Sequence, residues 1–439
     1  MPFLSRCTTS ILGATGCMLG LLAGSAHAQV GTAQSDSELD FELRVGVNWT
    51  DNLGREPEGE SETFGSLGTT VEFARESTRV RSSLRGELDY YHYDSDRFDN
   101  EVLGRIDGVL GLALVPQRLD WMIENRFGQV RTDPFAADRP ENREYLNVFE
   151  TGPELYLPLG ERTVLGASAR YADRRWQDSD ELDSEIQSGQ VRIVRLLSPT
   201  QQLGLVGGMR SIEYDGEGIP RYEVYSAYLS YARTLATGEV GLDVGANRLN
   251  IAGRTDTGLL LRANWTRELT ARSSLALAVG REFQDAGDQL RGESLAETGF
   301  GGGEGALTGD PYVYTFGMAT YTLTRERTTI VLGGEWNRER YDSVSALDRD
   351  VLAARASLAY RLSPALTGEV SVTLRREDFD TLDGATADEL TAGAALIRRL
   401  GRDFDLRLEY LYAERDADIG LDFEENRVQL LLIWSPGRG

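Results

Sequence analysis

Cysteine is nearly missing from these 439 residues: there are two, Cys7 and Cys17, and both fall within the first 28. With that stretch removed as a leader the chain holds no thiol, which excludes disulfide staples, thiolate metal ligands and cysteine nucleophiles. Histidine occurs only at His27 and His92, too few for a histidine-based metal centre. Lysine is absent, and all 46 basic residues are arginine. Beyond residue 24 no uncharged apolar run approaches the roughly 18 residues of a membrane-crossing helix. The basic surface that nucleic acid requires is missing too, since the formal net charge is -24.

What is present looks at first like a soluble acidic protein, with 26% charged residues and a mean hydropathy of -0.34. Averages hide alternation, however. In LDFELRVGVNWT, Leu39, Phe41, Leu43, Val45, Val47 and Trp49 alternate with Asp40, Glu42, Arg44, Gly46, Asn48 and Thr50. A period of two belongs to a β-strand whose faces meet different surroundings. The same split recurs in TRVRSSLRGELDYYHY (78–93), LDWMIENRFGQV (119–130), DVLAARASLAYRL (350–362) and DFDLRLEYLYAE (403–414). Such runs are about twice the 5 to 6 residues of an ordinary globular strand and suit a tilted membrane crossing.

The N-terminus supplies the compartment. Arg6, the uncharged stretch from Ile11 to Gly24 and Ala26-His27-Ala28 have the layout of a secretory signal peptide cleaved after residue 28. A lipoprotein signal would use Cys17 after Ala14-Thr15-Gly16, but no leucine stands at its first position. Residues 29–38 are then a short periplasmic segment, too short for a folded plug; 39–434 form a single barrel, and 435–439 a C-terminal tail.

Two kinds of connection alternate between the strands. Tight turns are expected near 76–79, 115–118, 158–162, 198–201, 235–238, 268–271, 324–327, 363–366 and 399–402. Longer polar segments include 51–62, 173–185, 285–310, 376–389 and 414–425. Nine turns and ten loops imply about twenty strands. An even number of antiparallel strands, with short periplasmic turns and long acidic extracellular loops, is the layout of an all-β transmembrane barrel of a Gram-negative outer membrane. Outward residues, among them Leu43 expected near the midplane, then face lipid, with Tyr90, Tyr360, Tyr412 and Trp434 in aromatic girdles. The five named loops hold nearly all the excess negative charge, either as a collar that meets divalent cations and lipopolysaccharide or simply as solvated surface.

The alternation assigns a hydrated lumen lined by Arg44, Arg79, Arg81, Arg85, Arg105, Arg126, Arg262, Arg355, Arg375 and Arg407. Acidic partners on the same face are Glu42, Glu87, Asp89, Asp107, Glu124, Asp243, Asp405 and Glu409. Guanidinium groups hold carboxylates in a bidentate fashion. A biased genome accounts for the missing lysine more cheaply, but either way the wall suits sugars or ions rather than lipids.

Chemistry is sparse. His92, near Asp89, Asp94 and Asp96, could act as a general base at the rim, but its register places it on the lipid side. In DADIGLDFEEN (416–426), Asp416, Asp418 and Asp422 fit a calcium loop, yet Gly420 stands where a ligand belongs and Arg427 takes the twelfth position. GFGGGEG (299–305) lacks the Lys-Ser/Thr of a phosphate loop. No enzyme activity, cofactor or metal is expected. The Gly-rich span 285–310 could fold inward and narrow the pore, but long loops usually run over the surface, so an extended acidic flap is the default expectation.

VNWTDNLGR, RLDWMIENRFGQV, NVFETGPELYLPLG and the closing ENRVQLLLIW resemble the β-barrel porin 2-like outer-membrane family associated with exopolysaccharide and PEP-CTERM/exosortase systems. The resemblance spans essentially the whole mature chain and implies a conduit in polysaccharide secretion, with no catalytic residues. The barrel assembly machinery and periplasmic export components would be partners. Ser435-Pro-Gly-Arg-Gly439 follows Trp434, so the terminal aromatic of many barrels is missing, and Leu430, Leu432 and Trp434 are the candidate assembly anchors. A general diffusion porin, a structural barrel anchoring a secretion complex, a rim hydrolase using His92 and a soluble secreted β-protein are the alternatives.

Overall fold

The computed structural model describes residues 36–95, 97–288, 290, 306–380 and 384–436. The expected leader, Asp96 and most of the Gly-rich span lie outside them. The first ten strands are β1 (Asp36–Thr50), β2 (Glu62–Glu76), β3 (Val80–Tyr93), β4 (Glu101–Val115), β5 (Leu119–Arg131), β6 (Arg143–Pro158), β7 (Thr163–Trp176), β8 (Ser184–Ser198), β9 (Gln201–Tyr214) and β10 (Tyr222–Leu235). The second ten are β11 (Gly238–Ile251), β12 (Arg254–Thr270), β13 (Ser273–Gln284), β14 (Tyr312–Thr324), β15 (Thr328–Tyr341), β16 (Arg349–Ser363), β17 (Leu366–Phe379), β18 (Thr386–Arg399), β19 (Phe404–Ala417) and β20 (Phe423–Trp434). Each strand pairs antiparallel with the next, and β1 pairs with β20 from Leu43↔Trp434 to Thr50↔Arg427. The sheet is a closed twenty-stranded barrel, so its strand bodies satisfy one another's backbone groups, as a lipid environment demands.

The nine tight turns fall within a few residues of their expected places. β1 starts at Asp36, so the expected 29–38 segment gives its last three residues to the sheet. The opposite rim departs further from expectation. Between β11 and β12 stands a two-residue turn, Ala252-Gly253, with φ of 49° and 80°. Positive φ at both central positions matches the right-handed twist of a hairpin, which removes the need for a loop. Elsewhere the strands climb into segments expected as loops, leaving only 177–183, 380–385 and 418–422 between them.

Outward side chains explain that difference. On β19 they run Phe404, Leu406, Leu408, Tyr410 and Tyr412, then Glu414 and Asp416; on β15, Ile330, Leu332 and Trp336 give way to Arg338 and Arg340. The apolar stretch matches a lipid band about 25 Å tall, above which the wall stands in water. There the charges pair in ladders: Arg175 meets Asp173, Asp183 and Asp215 at 2.7, 3.0 and 2.9 Å, and Arg338 meets Asp350 at 2.7 Å. Much of the expected acidic loop collar is therefore the upper barrel wall with arginines interleaved.

The girdles are present, with Tyr90, Tyr171 and Tyr225 outward toward the loop rim and Trp121, Tyr360 and Phe404 outward toward the turn rim. Leu43 pairs with Trp434 and so sits at the lower girdle rather than at the midplane. Val47, 59% exposed and paired with Leu430, takes the midplane position.

Candidate conduit and its closed mouth

Inward rows carry the arginines and carboxylates that the alternation assigns to the lumen, and they pair along and across strands. Arg44 donates to Thr70 at 2.8 Å and to both oxygens of Asp89 at 3.1 and 3.0 Å, with Glu87 at 2.8 Å and Glu42 at 3.5 Å. Arg85 meets Glu72 at 3.3 Å, Arg105 meets Asp107 at 2.6 Å, and Arg126 meets Glu124 at 2.7 Å. Arg262 bridges Glu282 at 2.6 Å and Asp243 at 3.7 Å; Arg407 bridges Glu409 and Glu369 at 2.8 and 2.9 Å. Arg81 reaches Asp120 and Arg375 reaches Glu377, each at 2.5 Å, while Arg355 and Asp405 stand on the inward rows of β16 and β19.

Arg79 is the exception. It lies in the exposed turn 77–79, where Ser77 and Val80 exchange hydrogen bonds, so the alternation of β3 begins one residue later than its sequence suggests. On the β2–β3 wall the Arg85, Glu72 and Glu87 side chains remain 57, 50 and 59% exposed, so this part of the lumen is wet.

Toward the loop rim the interior changes character. Leu146, Ile212 and Leu249 are fully buried on inward rows, and Val148, Ile186 and Tyr222 nearly so. A uniformly polar lumen was the expectation. Apolar side chains inside a water-filled barrel require a cover, and two connections provide it.

The first cover is the β13–β14 connection. Its start, Ala286 and Leu290, packs with Val130, Leu146, Val148, Trp176 and Leu182, and Leu307 from its end joins the same cluster. β5 lies eight strands from β13, so Leu290, against Gly128 and Arg105, stands across the barrel from the strand that leads to it. Asp285 and Asp288 anchor it: Arg174 donates to them at 2.6 and 3.2 Å, Arg210 donates to Asp288 at 2.8 Å, and the Tyr222 hydroxyl donates to Asp285. Arg174 and Asp285 are 1 and 0% exposed. Two glycines make the seat. A Cβ at Gly287 would stand 2.5 Å from the Arg174 guanidinium carbon, and one at Gly128 would stand 3.0 Å from Leu290. The Leu290 carbonyl accepts from Arg105 at 3.1 Å, and the Ala306 amide donates to the Tyr341 hydroxyl at 2.7 Å. The extended flap in solvent is thereby overturned for the described ends of this connection, because buried ion pairs and apolar contacts outweigh the freedom of an exposed loop.

The second cover, residues 132–142 between β5 and β6, reaches the far wall. Asn142 holds its shape by accepting from the Asp133 amide at 2.8 Å and donating to the Asp133 and Ala137 carbonyls at 2.9 and 3.0 Å. Phe135 then packs on Phe379 with ring centroids 4.8 Å apart, and its carbonyl accepts from Arg415 at 2.7 Å. Partial burial pushes the half-exposed Asp138 carboxyl up, but Arg143, donating at 2.7 Å, and the charges of Arg131 and Arg55 outweigh that and hold it well below the usual carboxylate range.

A depressed carboxylate contributes its full stabilisation above the unfolded value of about 4 and loses it as the pH falls through the folded value. Single-channel recordings are thus expected to show a closed state from about pH 7 down to about pH 4, with openings only under stronger acid. A channel that opens between about pH 7 and 5 would assign the seat to another group.

His92 sits on the exposed outer face, its Nδ1 3.1 Å from the Asn100 side-chain oxygen. Asp89 points inward to Arg44, so no histidine–carboxylate pair forms between them. Among the described residues no cluster of three or more histidine and acidic groups is placed to hold a metal. In the calcium-like stretch, Asp418 accepts from Thr386 and Asp422 from the Ala417 amide, so these carboxylates serve local turns.

Sequence reasoning missed Arg174, Arg210, Asp285, Asp288 and Gly128. The usable signal was apolar residues on both faces at the upper strand ends, as in β6, where Leu146 and Val148 face inward while Tyr145 and Phe149 face out.

No family model and no curated protein matches the chain. Solved structures do match. The siderophore receptor PirA from Pseudomonas aeruginosa is 11% identical over 92% of this chain and 81% of its own, at a TM-score of 0.43. A mutant of the ferric enterobactin receptor PfeA from the same organism is 10% identical over 91 and 81%, at 0.46. The FrpB iron transporter from Neisseria meningitidis is 10% identical over 90 and 82%, at 0.45. The architecture of this chain, an outer-membrane-type β-barrel of twenty strands, rests on its own ladder of strand registers and its apolar outer band.

Proposed function

We propose that this protein is a gated conduit of the Gram-negative outer membrane that takes part in moving exopolysaccharide outward. One observation carries the reading: a lumen lined by arginine–carboxylate pairs, wet on the β2–β3 wall, is roofed at the loop rim by segments of its own chain. Barrels of 16 to 18 strands already leave an aqueous channel, so twenty leave room for a polar polymer once the roof moves. Fixed pairs of donors and acceptors suit sugar hydroxyls. A conduit for a large polymer must also close when idle, or the periplasm would leak.

Inside, Tyr312, Tyr314 and Phe316 descend β14 on the inward row beneath Ala306, with the Tyr314 and Phe316 rings stacked 5.3 Å apart. Tyr312 and Tyr314 are buried beneath the roof, so this column offers flat apolar faces to a glycan only once the roof has moved. The resemblance to the β-barrel porin 2-like family points the same way. Outer-membrane lipid and lipopolysaccharide, the barrel assembly machinery and periplasmic export components are the partners this role requires. The roof also favours a second reading, a structural barrel that anchors a secretion complex and never conducts.

Planar-bilayer recording of the refolded protein separates these readings. A conduit gives low idle conductance and bursts or blocks when an acidic polysaccharide is added on the turn side. Steady conductance without glycan would make it a diffusion porin, and silence under every condition would leave the anchor.

A further inference from the structure

The outer wall over β16–β19 is concave. Register places Tyr360, Gly368 and Leu396 in one outward row and Val370, Ala394 and Tyr410 in the next. Gly368 and Ala394 form a floor between the two tyrosines, and the depression has a volume of about 460 Å³. A Cβ added at Gly368 would meet the Leu362 and Leu396 side chains at 3.5 and 3.8 Å, ordinary contact, so this glycine leaves open space rather than relieving a clash.

One row nearer the turn rim, Arg398 pairs in the ladder with Leu366 on one side and Leu406 on the other. It is exposed on the outer face, and among the described residues it makes no ion pair. The next outward row holds Phe404 opposite Trp434, the lower girdle, so Arg398 stands at headgroup depth. An arginine at that depth keeps its charge in the polar layer while its methylenes lie on apolar surface.

We infer that this depression is a binding site for one anionic phospholipid of the inner leaflet, an acyl chain lying over Gly368 and Ala394 and the phosphate on Arg398. Charge and shape both select this occupant. The groove lies in the lipid band, and a guanidinium binds phosphate through parallel hydrogen bonds. A second copy docked across a two-fold axis on the groove would bring Arg398 toward its own mate, a like-charge contact that disfavours association.

The test is native mass spectrometry of the detergent-refolded barrel with added phosphatidylglycerol or phosphatidylcholine. Wild type is expected to retain one phosphatidylglycerol under activation that strips phosphatidylcholine. Arg398→Gln should lower that retention about tenfold, the loss of one charge-assisted phosphate contact. Ala394→Leu, which fills the floor, should abolish the retention of phosphatidylglycerol. Heat-modifiable gel mobility confirms that each variant is folded, and Gly368→Val serves in place of Ala394→Leu should the latter fail to assemble. Equal retention by wild type and both variants would overturn the site, as would a dimer that the floor-filling variant loses.

Discussion

Replacing Asp285 and Asp288 together by asparagine is expected to open the barrel. In the native seat the two carboxylates neutralise Arg174 and Arg210, of which Arg174 is almost fully buried. Asparagine keeps the shape and part of the hydrogen bonding but leaves two guanidinium groups uncompensated beside each other. Removing one side of a buried ion pair costs about 3 to 5 kcal/mol, which raises the population of the unseated loop by roughly two to four orders of magnitude. Conductance should rise several-fold. The exposed arginines should also turn the mouth toward anions, a preference that fades at high salt as charges are screened over about 10 Å at 0.1 M. Unchanged conductance and selectivity in the double variant would mean that the segment does not gate the lumen.

Val47→Arg is expected to prevent stable assembly. Val47 faces outward at the middle of the lipid band, and arginine there costs about 2 to 4 kcal/mol on a barrel surface. Leu43→Arg, four residues nearer the turn rim beside Trp434, should assemble, because the cost at the interface falls to about 0 to 1 kcal/mol. Arg44→Ala should also assemble but with lower thermal resistance, since Asp89, Glu42 and Glu87 lose a shared cation. The fraction showing heat-modifiable mobility after refolding reads all three variants. Equal assembly of the Val47 and Leu43 variants would contradict the depth assignment.

Most of the barrel was legible in the sequence because a period of two is a local property that survives without knowledge of partners. Turn chemistry such as Ser198-Pro199-Thr200 or Ser363-Pro364-Ala365 then marks the rim where strands end. The upper rim was harder to read. Above the lipid band the outward residues become Asp, Glu and Arg, so a strand and a polar loop have the same composition, and 173–176 or 414–417 resembled loop.

The roof was hidden for a different reason. Asp285 and Asp288 look like ordinary acidic loop residues, and only the fold sets them against Arg174 and Arg210, 111 and 78 residues away for the contacts Arg174–Asp285 and Arg210–Asp288. Gly128, which nothing in LDWMIENRFGQV sets apart, is the landing place for Leu290. Pairings between loop and far wall carry no period that a sequence reveals.

Proximity of Gly128 and Leu290 is the most direct test that the barrel is closed by its own chain. Gly128→Cys and Leu290→Cys can be combined without interference, because the only native cysteines are Cys7 and Cys17 in the expected leader. Treatment of intact cells with a short bifunctional thiol reagent should link the two positions intramolecularly. Rapid, near-complete linking, absent from either single variant, is the result the inward seat predicts. Two cysteines that label separately and never link would place the β13–β14 connection outside the lumen and contradict the closed mouth.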